Sequence, residues 1–328
     1  MIVLNENEIS NIYGMKQAIH DIELMLDHKL SGKIINPSRT VIEYQEKDGS
    51  VLYMPSTDLE EKIMSMKAVT IFPKNPSIGK PTTQGIVLLS NASNGEHVAI
   101  FNASYLTRLR TGAISAIATK QLSLKDAETM SMIGTGGMAF EQVLGILAVR
   151  DIQRIYLINP TKEKAHKFRE KLYNFGVNPS IKIEILNNVD EAVSKSQIIC
   201  CATRSHTPVF NGNYIKAGTH VNGVGSYLPH MREVDYTFID NAKIIVDDLE
   251  GTKEEAGELI HANKQPNWSF DKIHGELIDL VSNRITAREN NKEITFFKSV
   301  GAAYYDLAVA NGVYKIACKK NAGVKVEI

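Results

Sequence analysis

The sequence has few of the residues that mark disulfide-rich, metal-binding or membrane proteins. Three of its 328 residues are cysteine, and none of them forms a CxxC pair. Cys200 and Cys201 lie in an apolar run, which predicts buried thiols and a reducing compartment. The nine histidines form no HExxH motif and no zinc-like spacing with cysteine, and no GxSxG elbow occurs. We therefore expect no metal site, and the sequence argues against a zinc enzyme or a serine hydrolase.

No excess of charge and no long apolar run is present either. Lys+Arg and Asp+Glu each number 37, so the formal net charge is zero, whereas a nucleic-acid-binding protein normally carries a basic excess. Residues 1–10 lack the basic and apolar regions of a signal peptide, and no stretch is long enough to span a membrane. These features predict a cytoplasmic protein with no nucleic-acid or membrane partner.

Residues 1–124 show the pattern of an α+β domain. Apolar residues at helical spacing predict helices over Met15–Leu30 and Ala103–Leu122, and Arg110 falls on or beside the apolar stripe of the second. A buried arginine needs an anion, because an unpaired buried charge is costly. Short strand-like runs between turn residues favour a mainly antiparallel sheet. These runs are Thr40–Tyr44, Val51–Met54, Lys67–Phe72, Gly85–Ser90 and His97–Phe101.

Strands and helices alternate over residues 125–301, which predicts a Rossmann-type, doubly wound parallel sheet and an α/β fold class. A helix from about Gly301 to Cys318 is expected to return to the first domain, so residues 302–328 are assigned there. The acidic pairs Asp247–Asp248 and Glu254–Glu255 are interpreted as solvated. The predicted strands are Thr129–Ile133, Arg154–Ile158, Ile181–Leu186, Gln197–Ala202, Thr219–Val224, Lys243–Asp247 and Ile294–Lys298.

A glycine motif between a predicted strand and a predicted helix indicates dinucleotide binding. Its residues are Gly134, Thr135, Gly136, Gly137, Met138 and Ala139, a GxGxxA match. In such a turn the first glycine permits the tight turn, the second admits a pyrophosphate, and the alanine lets helix and strand pack closely. The alternative is an ordinary strand–helix turn that uses glycine for its backbone freedom alone.

The end of the second predicted strand bears on the choice of cofactor. Dinucleotide sites that prefer NAD place an acidic residue there, and this sequence has Asn159, followed by Thr161 and Lys162. Thr161 and Lys162 could accommodate a 2′-phosphate, which favours NADP(H) over NAD(H). The alternative is that Thr161 caps its helix and Lys162 is solvated.

Besides the glycine motif, the chain carries further characteristic blocks: Pro37–Arg39, Tyr53–Pro55, Lys67 before Phe72–Asn75, Gly79–Gly85, Leu106–Ala113, Asn222–Gly225 and Phe297–Gly301. Together these blocks resemble the ornithine cyclodeaminase/μ-crystallin family over nearly the whole chain. Members include ornithine cyclodeaminase, an archaeal-type alanine dehydrogenase and reductases of ketimines or pyrroline-2-carboxylate.

The resemblance implies a substrate-binding and dimerisation domain, a Rossmann domain, an active site in the cleft and a homodimer. It implies that Arg39, Lys67 and Arg110 surround a substrate carboxylate. The residues implied near the cofactor are Thr83, Arg110, Thr111, Thr203, Asn222, Val224, Gly225 and Ser299. From the residues alone, Arg39 could equally be a surface arginine and Lys67 a strand-edge lysine.

Two departures separate this chain from the cyclodeaminase pattern. Tyr227 stands where that pattern has an aspartate that handles protons at the substrate amine, and Lys298 stands where it has a second aspartate before Ser299. Ornithine carries a distal cation that favours acidic partners, so the loss of both carboxylates argues against it. Tyr227 is expected to shape the pocket or donate a hydrogen bond.

The sequence therefore predicts an NAD(P)H-dependent reductase or dehydrogenase of a small α-imino, α-amino or keto acid. Lys67, Arg39, Arg110 and Tyr227 are the expected catalytic residues. The alternatives are ornithine cyclodeaminase, which releases ammonia and forms proline, and an NADP(H)-binding protein of μ-crystallin type with little turnover. A further alternative is a dehydrogenase that joins an amino acid to a keto acid, for which a larger cleft would be needed.

Overall fold

The computed structural model describes residues 1–327. In chain order the strands are β1 Ile2–Leu4, β2 Ile34–Ile35, β3 Thr40–Tyr44, β4 Gly49–Asp58, β5 Ile63–Ile71, β6 Thr83–Asn91, β7 His97–Asn102, β8 Thr129–Ile133, β9 Arg154–Ile158, β10 Lys182–Ile185, β11 Ile198–Cys201, β12 His220–Gly223, β13 Ala242–Val246, β14 Gly275–Glu276, β15 Ile294–Lys298 and β16 Val324–Lys325. The α-helices are α1 Glu6–Ile12, α2 Met15–Leu30, α3 Ala103–Leu122, α4 Ala139–Leu147, α5 Lys162–Phe175, α6 Val189–Lys195, α7 Tyr236–Asn241, α8 Leu249–Glu255, α9 Gly257–Ala262, α10 Leu277–Val281 and α11 Ala303–Lys320.

The chain divides into two compact units. The first comprises residues 1–110 and the chain from 302 onward, and the second comprises residues 111–301. The first division falls inside α3, whereas the sequence placed a domain boundary after residue 124, at the loop that follows this helix. The change in composition marks the loop after α3, whereas the structure divides the chain within this continuous helix.

The first unit is built on a mostly antiparallel sheet. Its strand order is β16-β1-β7-β6-β5-β4-β2, with β3 also paired to β4, and only β1 and β7 run parallel among these pairs. Helix α11 packs against α2 and against strands β4, β5 and β6. Because side chains alternate along a strand, each of these strands has one covered face and one open face. On β5 the residues Ile63, Ser65, Lys67 and Val69 are buried, while Met66 between them is exposed.

The second unit is an eight-stranded parallel sheet with the order β10-β9-β8-β11-β12-β15-β13-β14. Its central strands are buried along their whole length, as parallel strands covered on both faces require. The order of the strands reverses between β8 and β11, and in such sheets ligands bind outside the carboxyl ends of the strands at this point. The α/β fold class and the Rossmann-type sheet are confirmed, and Cys200 and Cys201 are buried within β11.

Candidate active site

A buried lysine lies at the centre of the first unit. Lys67 is on β5, which is flanked by β4 and β6, and its side chain is 3% exposed. The interpretation of Lys67 as a strand-edge residue is therefore wrong. Its Nζ donates hydrogen bonds to Asp306 Oδ2 at 2.8 Å and to Thr107 Oγ1 at 3.4 Å. An ammonium so far from water needs these partners, because burial alone penalises its charged form.

Arg110 shares the same carboxylate. One helical turn separates it from Thr107 on α3, which places both residues on one side of the helix. Its Nε donates to Asp306 Oδ1 at 3.3 Å, and its side chain is 7% exposed. The anion that the sequence required for Arg110 is thus Asp306, whose side chain is 0% exposed.

The charges within this cluster keep Asp306 ionised, and burial brings the pKa of Lys67 closer to neutral pH. Burial would raise the pKa of Asp306, but the charges and hydrogen bonds of Lys67 and Arg110 outweigh it and hold the pKa below the ordinary value. Burial lowers the pKa of Lys67 to about 8. Repulsion from Arg110 and Arg39 adds to this lowering, and Asp306 opposes it. A lysine with such a pKa can give or take a proton near neutral pH.

The other predicted residues of this side lie in different environments. Arg39 follows β2 in the loop before β3, is partly buried, and is close enough for its charge to act on Lys67. Thr83 is exposed at the first position of β6, where it pairs with Ile71. Thr111 is buried on α3, next to Arg110 in the chain.

The glycine motif in the second unit forms the turn between β8 and α4. Gly134 has a φ of +89°, and a Cβ there would meet the carbonyl oxygen of Ala202 at 2.8 Å, so only glycine fits. Gly136 and Gly137 are exposed, and a Cβ on either would meet nothing within 4 Å. Met138 is the N-cap of α4, and Ala139 is fully buried at its first position. The open space beside Gly136 and Gly137 at a helix N-terminus suits a pyrophosphate.

The end of β9 carries no carboxylate. The Asn159 Nδ2 donates to Thr135 Oγ1 at 2.6 Å, and its Oδ1 accepts the Thr161 N–H at 2.9 Å. Thr161 is the N-cap residue of α5 without a side-chain capping hydrogen bond, and both Thr161 and Lys162 are exposed. Thr161 therefore occupies the N-cap position, as the alternative interpretation has it, but its side chain makes no capping hydrogen bond.

The segments after β11 and β12 are held by a buried glutamate. Glu233 Oε1 accepts hydrogen bonds from the backbone N–H and the Oγ1 of Thr203, and Oε2 accepts the N–H groups of Gly225 and Ser226. Val224 is 8% exposed and Tyr227 is partly buried. Asn222 is fully buried, and its side chain bonds Thr119 and His220.

A second buried carboxylate holds the segment after β15. Asp247 accepts hydrogen bonds from Ser299 Oγ at 2.6 Å and from the N–H groups of Val300 and Gly301. It is 1% exposed, so its interpretation as a solvated strand-end residue is wrong. Asp247 ends its predicted strand and is followed by Asp248, a context that is typical of solvated residues, so nothing in the sequence indicated this burial.

Lys298 belongs to a buried ion pair in the second unit. Its Nζ lies 3.1 Å from Glu258 Oε1 and donates to the backbone oxygen and the Oγ of Ser226 at 2.5 and 2.6 Å. Lys298 and Glu258 are both 0% exposed. Lys298 therefore neutralises a carboxylate within its own unit and orders the chain at Ser226.

Three buried carboxylates escaped the sequence analysis: Asp306 in the first unit, and Glu233 and Glu258 in the second. A lone acidic residue in an otherwise apolar helix was the available signal for Asp306, since Ala303–Val313 of α11 is buried throughout. No comparable signal exists for Glu233, because it lies in an irregular segment beside other polar residues. Among residues 1–327 no group of three or more His, Cys, Asp or Glu side chains is arranged to hold a metal ion. The helices of this range are all too short or too polar to cross a membrane.

Known proteins are similar to this one over nearly the whole chain. The model of the ornithine cyclodeaminase/mu-crystallin family matches residues 1–321. A Delta(1)-pyrroline-2-carboxylate reductase of Bacillus cereus is 36% identical over 328 residues, which is 100% of both chains. The Thermococcus litoralis Delta(1)-pyrroline-2-carboxylate reductase, solved with NADH and L-proline, is 34% identical with a TM-score of 0.92, covering 99% of this chain and 100% of that one. An archaeal alanine dehydrogenase dimer with bound NAD is 30% identical with a TM-score of 0.92, covering 100% of this chain and 99% of that one.

Proposed function

The chain belongs to the ornithine cyclodeaminase/mu-crystallin family, and from this membership we propose that it reduces Delta(1)-pyrroline-2-carboxylate or a similar cyclic imino acid to the corresponding amino acid. It is a nicotinamide-dependent oxidoreductase of the class that acts on C=N or CH–NH bonds, as its full-length relatives are. The observation that carries the choice of substrate is the buried cluster of Lys67, Asp306 and Arg110. It offers two cations and a proton donor to a small acid that carries one carboxylate and one imine nitrogen.

Each group of the cluster has a distinct role in this proposal. Arg110 and Arg39 bind the substrate carboxylate, since guanidinium groups match its planar geometry. Lys67 holds the carboxylate or gives a proton to the imine nitrogen, and Asp306 fixes Lys67 and Arg110 in place. A nicotinamide cofactor, when bound, would supply the hydride for the imine carbon. One hydride and one proton then balance the reduction.

We propose that the turn Gly134–Ala139, the end of β9 and the segments at Thr203, Val224–Gly225 and Ser299 bind the nicotinamide cofactor, with Thr83, Arg110 and Thr111 near it. The fit rests on the open space beside Gly136 and Gly137 and on the glycine that the tight turn requires at 134. Tyr227 shapes the substrate pocket in place of a carboxylate. Because that carboxylate is absent, deamination of ornithine is disfavoured.

Asn159 decides which nicotinamide cofactors are accepted. Because its amide replaces an acidic residue, a 2′-phosphate meets no negative charge at the end of β9, and we propose that NADPH is used as readily as NADH or better. Asn159→Asp introduces that charge. We expect kcat/KM for NADPH to fall roughly tenfold or more while that for NADH is kept, because a close like-charge pair near a protein surface costs about 1.4 kcal/mol or more, which is a factor of ten. Equal changes for both cofactors would contradict the assignment.

We also propose a homodimer formed through the uncovered side of the first sheet. Tyr53, Met66 and Ile86, here called the open sheet face, are 37%, 37% and 48% exposed. Tyr53 pairs with Ala68 and Ala68 with Ile86, so these side chains project from the face opposite Lys67. A second copy of the chain would cover this apolar surface, and the net charge of zero adds little repulsion between copies.

The test of the reaction follows oxidation of NADH and NADPH by absorbance. The substrates are Delta(1)-pyrroline-2-carboxylate, Delta(1)-piperideine-2-carboxylate, and pyruvate with ammonia or methylamine. Reduction of a cyclic imine, with product detected as the amino acid, is the expected result. Lys67→Met should lower kcat/KM by about a hundredfold or more, while Lys33→Met at an exposed position of the same unit should not.

Ornithine with catalytic NAD⁺ is assayed alongside for ammonia and proline. Formation of both without net change in nicotinamide would overturn the proposal in favour of cyclodeamination. Faster turnover of pyruvate with ammonia than of either cyclic imine would instead identify an alanine dehydrogenase. Tight NADPH binding without turnover of any of these substrates would indicate a binding protein.

A further inference from the structure

Glu233 links two chain segments that end neighbouring strands. It lies in the irregular stretch between β12 and α7, is 0% exposed, and uses both carboxylate oxygens. Oε1 accepts the Thr203 N–H at 2.6 Å and the Thr203 hydroxyl at 2.9 Å. Oε2 accepts the N–H groups of Gly225 at 2.7 Å and Ser226 at 3.3 Å. One side chain thus receives four hydrogen bonds, two from each segment.

One of the two segments that Glu233 links lies directly against the glycine turn, and the other lies against the first. A Cβ on Gly134 would meet the Thr203 Cγ2 at 2.9 Å, so the threonine methyl group packs on that glycine. A Cβ on Gly225 would meet the backbone oxygen of Thr203 at 2.1 Å and Glu233 Oε1 at 2.5 Å. The backbones of the segments after β11 and β12 are therefore in direct contact, and the carboxylate of Glu233 lies beside both.

Several charges act on this carboxylate. Burial raises the pKa of Glu233, Lys298 lowers it, and Glu258 raises it again. The N–H groups of Thr203 and Gly225 favour its charged form. Lys298 also bonds the backbone oxygen of Ser226, so the same buried cation supports both the carboxylate and one of the segments it holds.

We propose that Glu233 is a positioning residue of the nicotinamide cofactor site, which fixes the segment at Thr203 against the glycine turn and the segment at Gly225–Ser226 against Thr203. This inference rests on the proposed function and deepens it. Glu233 touches neither cofactor nor substrate in this role. It acts through the backbone that it holds.

The hydrogen bonds to Glu233 limit which groups of these segments can bind the cofactor. The N–H groups of Thr203, Gly225 and Ser226 and the Thr203 hydroxyl are already donated to Glu233. The cofactor must therefore contact these segments through carbonyl oxygens, Cα atoms and the side chain of Val224, rather than through these donors. The rigid backbone, pre-ordered by one carboxylate, is what the cofactor binds.

The test compares Glu233→Gln with Asp235→Ala. The glutamine keeps the shape but presents an NH₂ group to two of the four donors, so one segment loses its acceptor. Asp235 is the matched control: it lies two residues away and accepts hydrogen bonds from the N–H group of Phe238, which caps the start of α7, and from that of Gly212, rather than from either segment. For each variant, the Kd for NADH is measured by fluorescence of the nucleotide, thermal stability by melting, and local order by amide hydrogen exchange of peptides containing residues 203–206 and 224–227.

Glu233→Gln is expected to raise the Kd for NADH about tenfold, the loss that follows from one or two unmade buried hydrogen bonds. Exchange in both peptides should accelerate. Asp235→Ala should lower the melting temperature without either effect. If Glu233→Gln does not fold, Glu233→Asp, which keeps the charge and loses reach, undergoes the same measurements with the same expected direction.

A variant at Glu233 that binds NADH with the wild-type Kd, or keeps wild-type exchange in both peptides, would overturn the inference. Wild-type protein that binds NADH but reduces none of the imines would contradict the proposed substrate and leave the comparison of Kd values decisive for Glu233. Wild-type protein that binds neither NADH nor NADPH would overturn both.

Discussion

A single buried carboxylate sets the charge of the substrate-side cluster. Asp306 contacts Lys67 at 2.8 Å and Arg110 at 3.3 Å, so one negative charge balances part of two positive ones. The remaining positive charge suits a carboxylate ligand. Removing one member of such a buried group costs more than the pair contributed, because the partner keeps its charge without compensation.

Asp306→Asn should shift the pH dependence of catalysis. The carboxylate raises the pKa of Lys67, which burial has lowered to about 8, so its loss moves that pKa further down. Since protonated Lys67 disappears as pH rises through its pKa, kcat/KM for imine reduction should begin to fall at lower pH than in the wild type. The measurement is a profile of kcat/KM between mildly acidic and alkaline pH.

The control for this change is Asp58→Asn. Asp58 is a buried carboxylate of the same unit, and it bonds His28 and the N–H groups of Glu60 and Glu61 rather than the cluster. It should lower stability and leave the pH profile in place. An alkaline limb that does not move in Asp306→Asn would show that Lys67 does not supply the proton.

At the scale of elements, the turn between β8 and α4 contains two glycines whose small size serves different purposes. Gly134 requires a positive φ and has the backbone of Ala202 against it. Gly136 has free space at its Cβ position, so the protein alone does not require glycine there. We therefore attribute the second glycine to the proposed approach of a pyrophosphate to the backbone.

Substitutions at these two glycines should separate folding from binding. Gly136→Val should keep the wild-type melting temperature and weaken NADH binding, because its side chain would occupy the space of the pyrophosphate. Gly134→Ala should lower both stability, by about 1–3 kcal/mol from strained backbone, and affinity. Thermal melts and NADH titrations distinguish the two cases. Undiminished NADH affinity in Gly136→Val would place the pyrophosphate elsewhere.

At the scale of the whole molecule, the open sheet face is the feature that single-chain folding leaves unexplained. Apolar side chains 37% to 48% exposed side by side on a sheet favour association. On the same face, strand β3 adds Ile42 and Tyr44 at 53% and 51% exposure, since Ile42 pairs with Val51 and Thr40 with Tyr53. An edge strand such as β3 with exposed apolar side chains is an aggregation risk unless another chain covers it.

Met66→Glu should convert the proposed homodimer to a monomer. A carboxylate at the centre of the open sheet face would be buried without a partner in the dimer, at a cost of several kcal/mol. The molar mass from light scattering after size-exclusion chromatography checks this. Tyr214→Glu, at a position 50% exposed in the second unit, should leave the mass unchanged. A wild-type monomer would refute the dimer directly.

The sequence by itself determined the class of fold and the positions of its elements. Periodicity located α2, α3, β3, β8, β9 and β15 at their observed bounds, since burial on one or two faces imposes a spacing on each element. The glycine motif and Arg110 were identifiable for similar reasons: a tight turn needs particular residues, and a charge in an apolar stripe needs an anion.

Only the tertiary structure decided which groups meet. Asp306 is 239 residues from Lys67 in the chain, and Glu233 is 30 residues from Thr203. Nothing in local spacing predicts such pairs, because a hydrogen bond depends on distances that the packing of the sheets and helices sets. For the same reason Asp247, which follows a buried strand among other acidic residues, was interpreted as solvated although three donors surround it. Local physics specifies helices, strands and turns, and the long-range packing specifies the charges and donors from which a site is made.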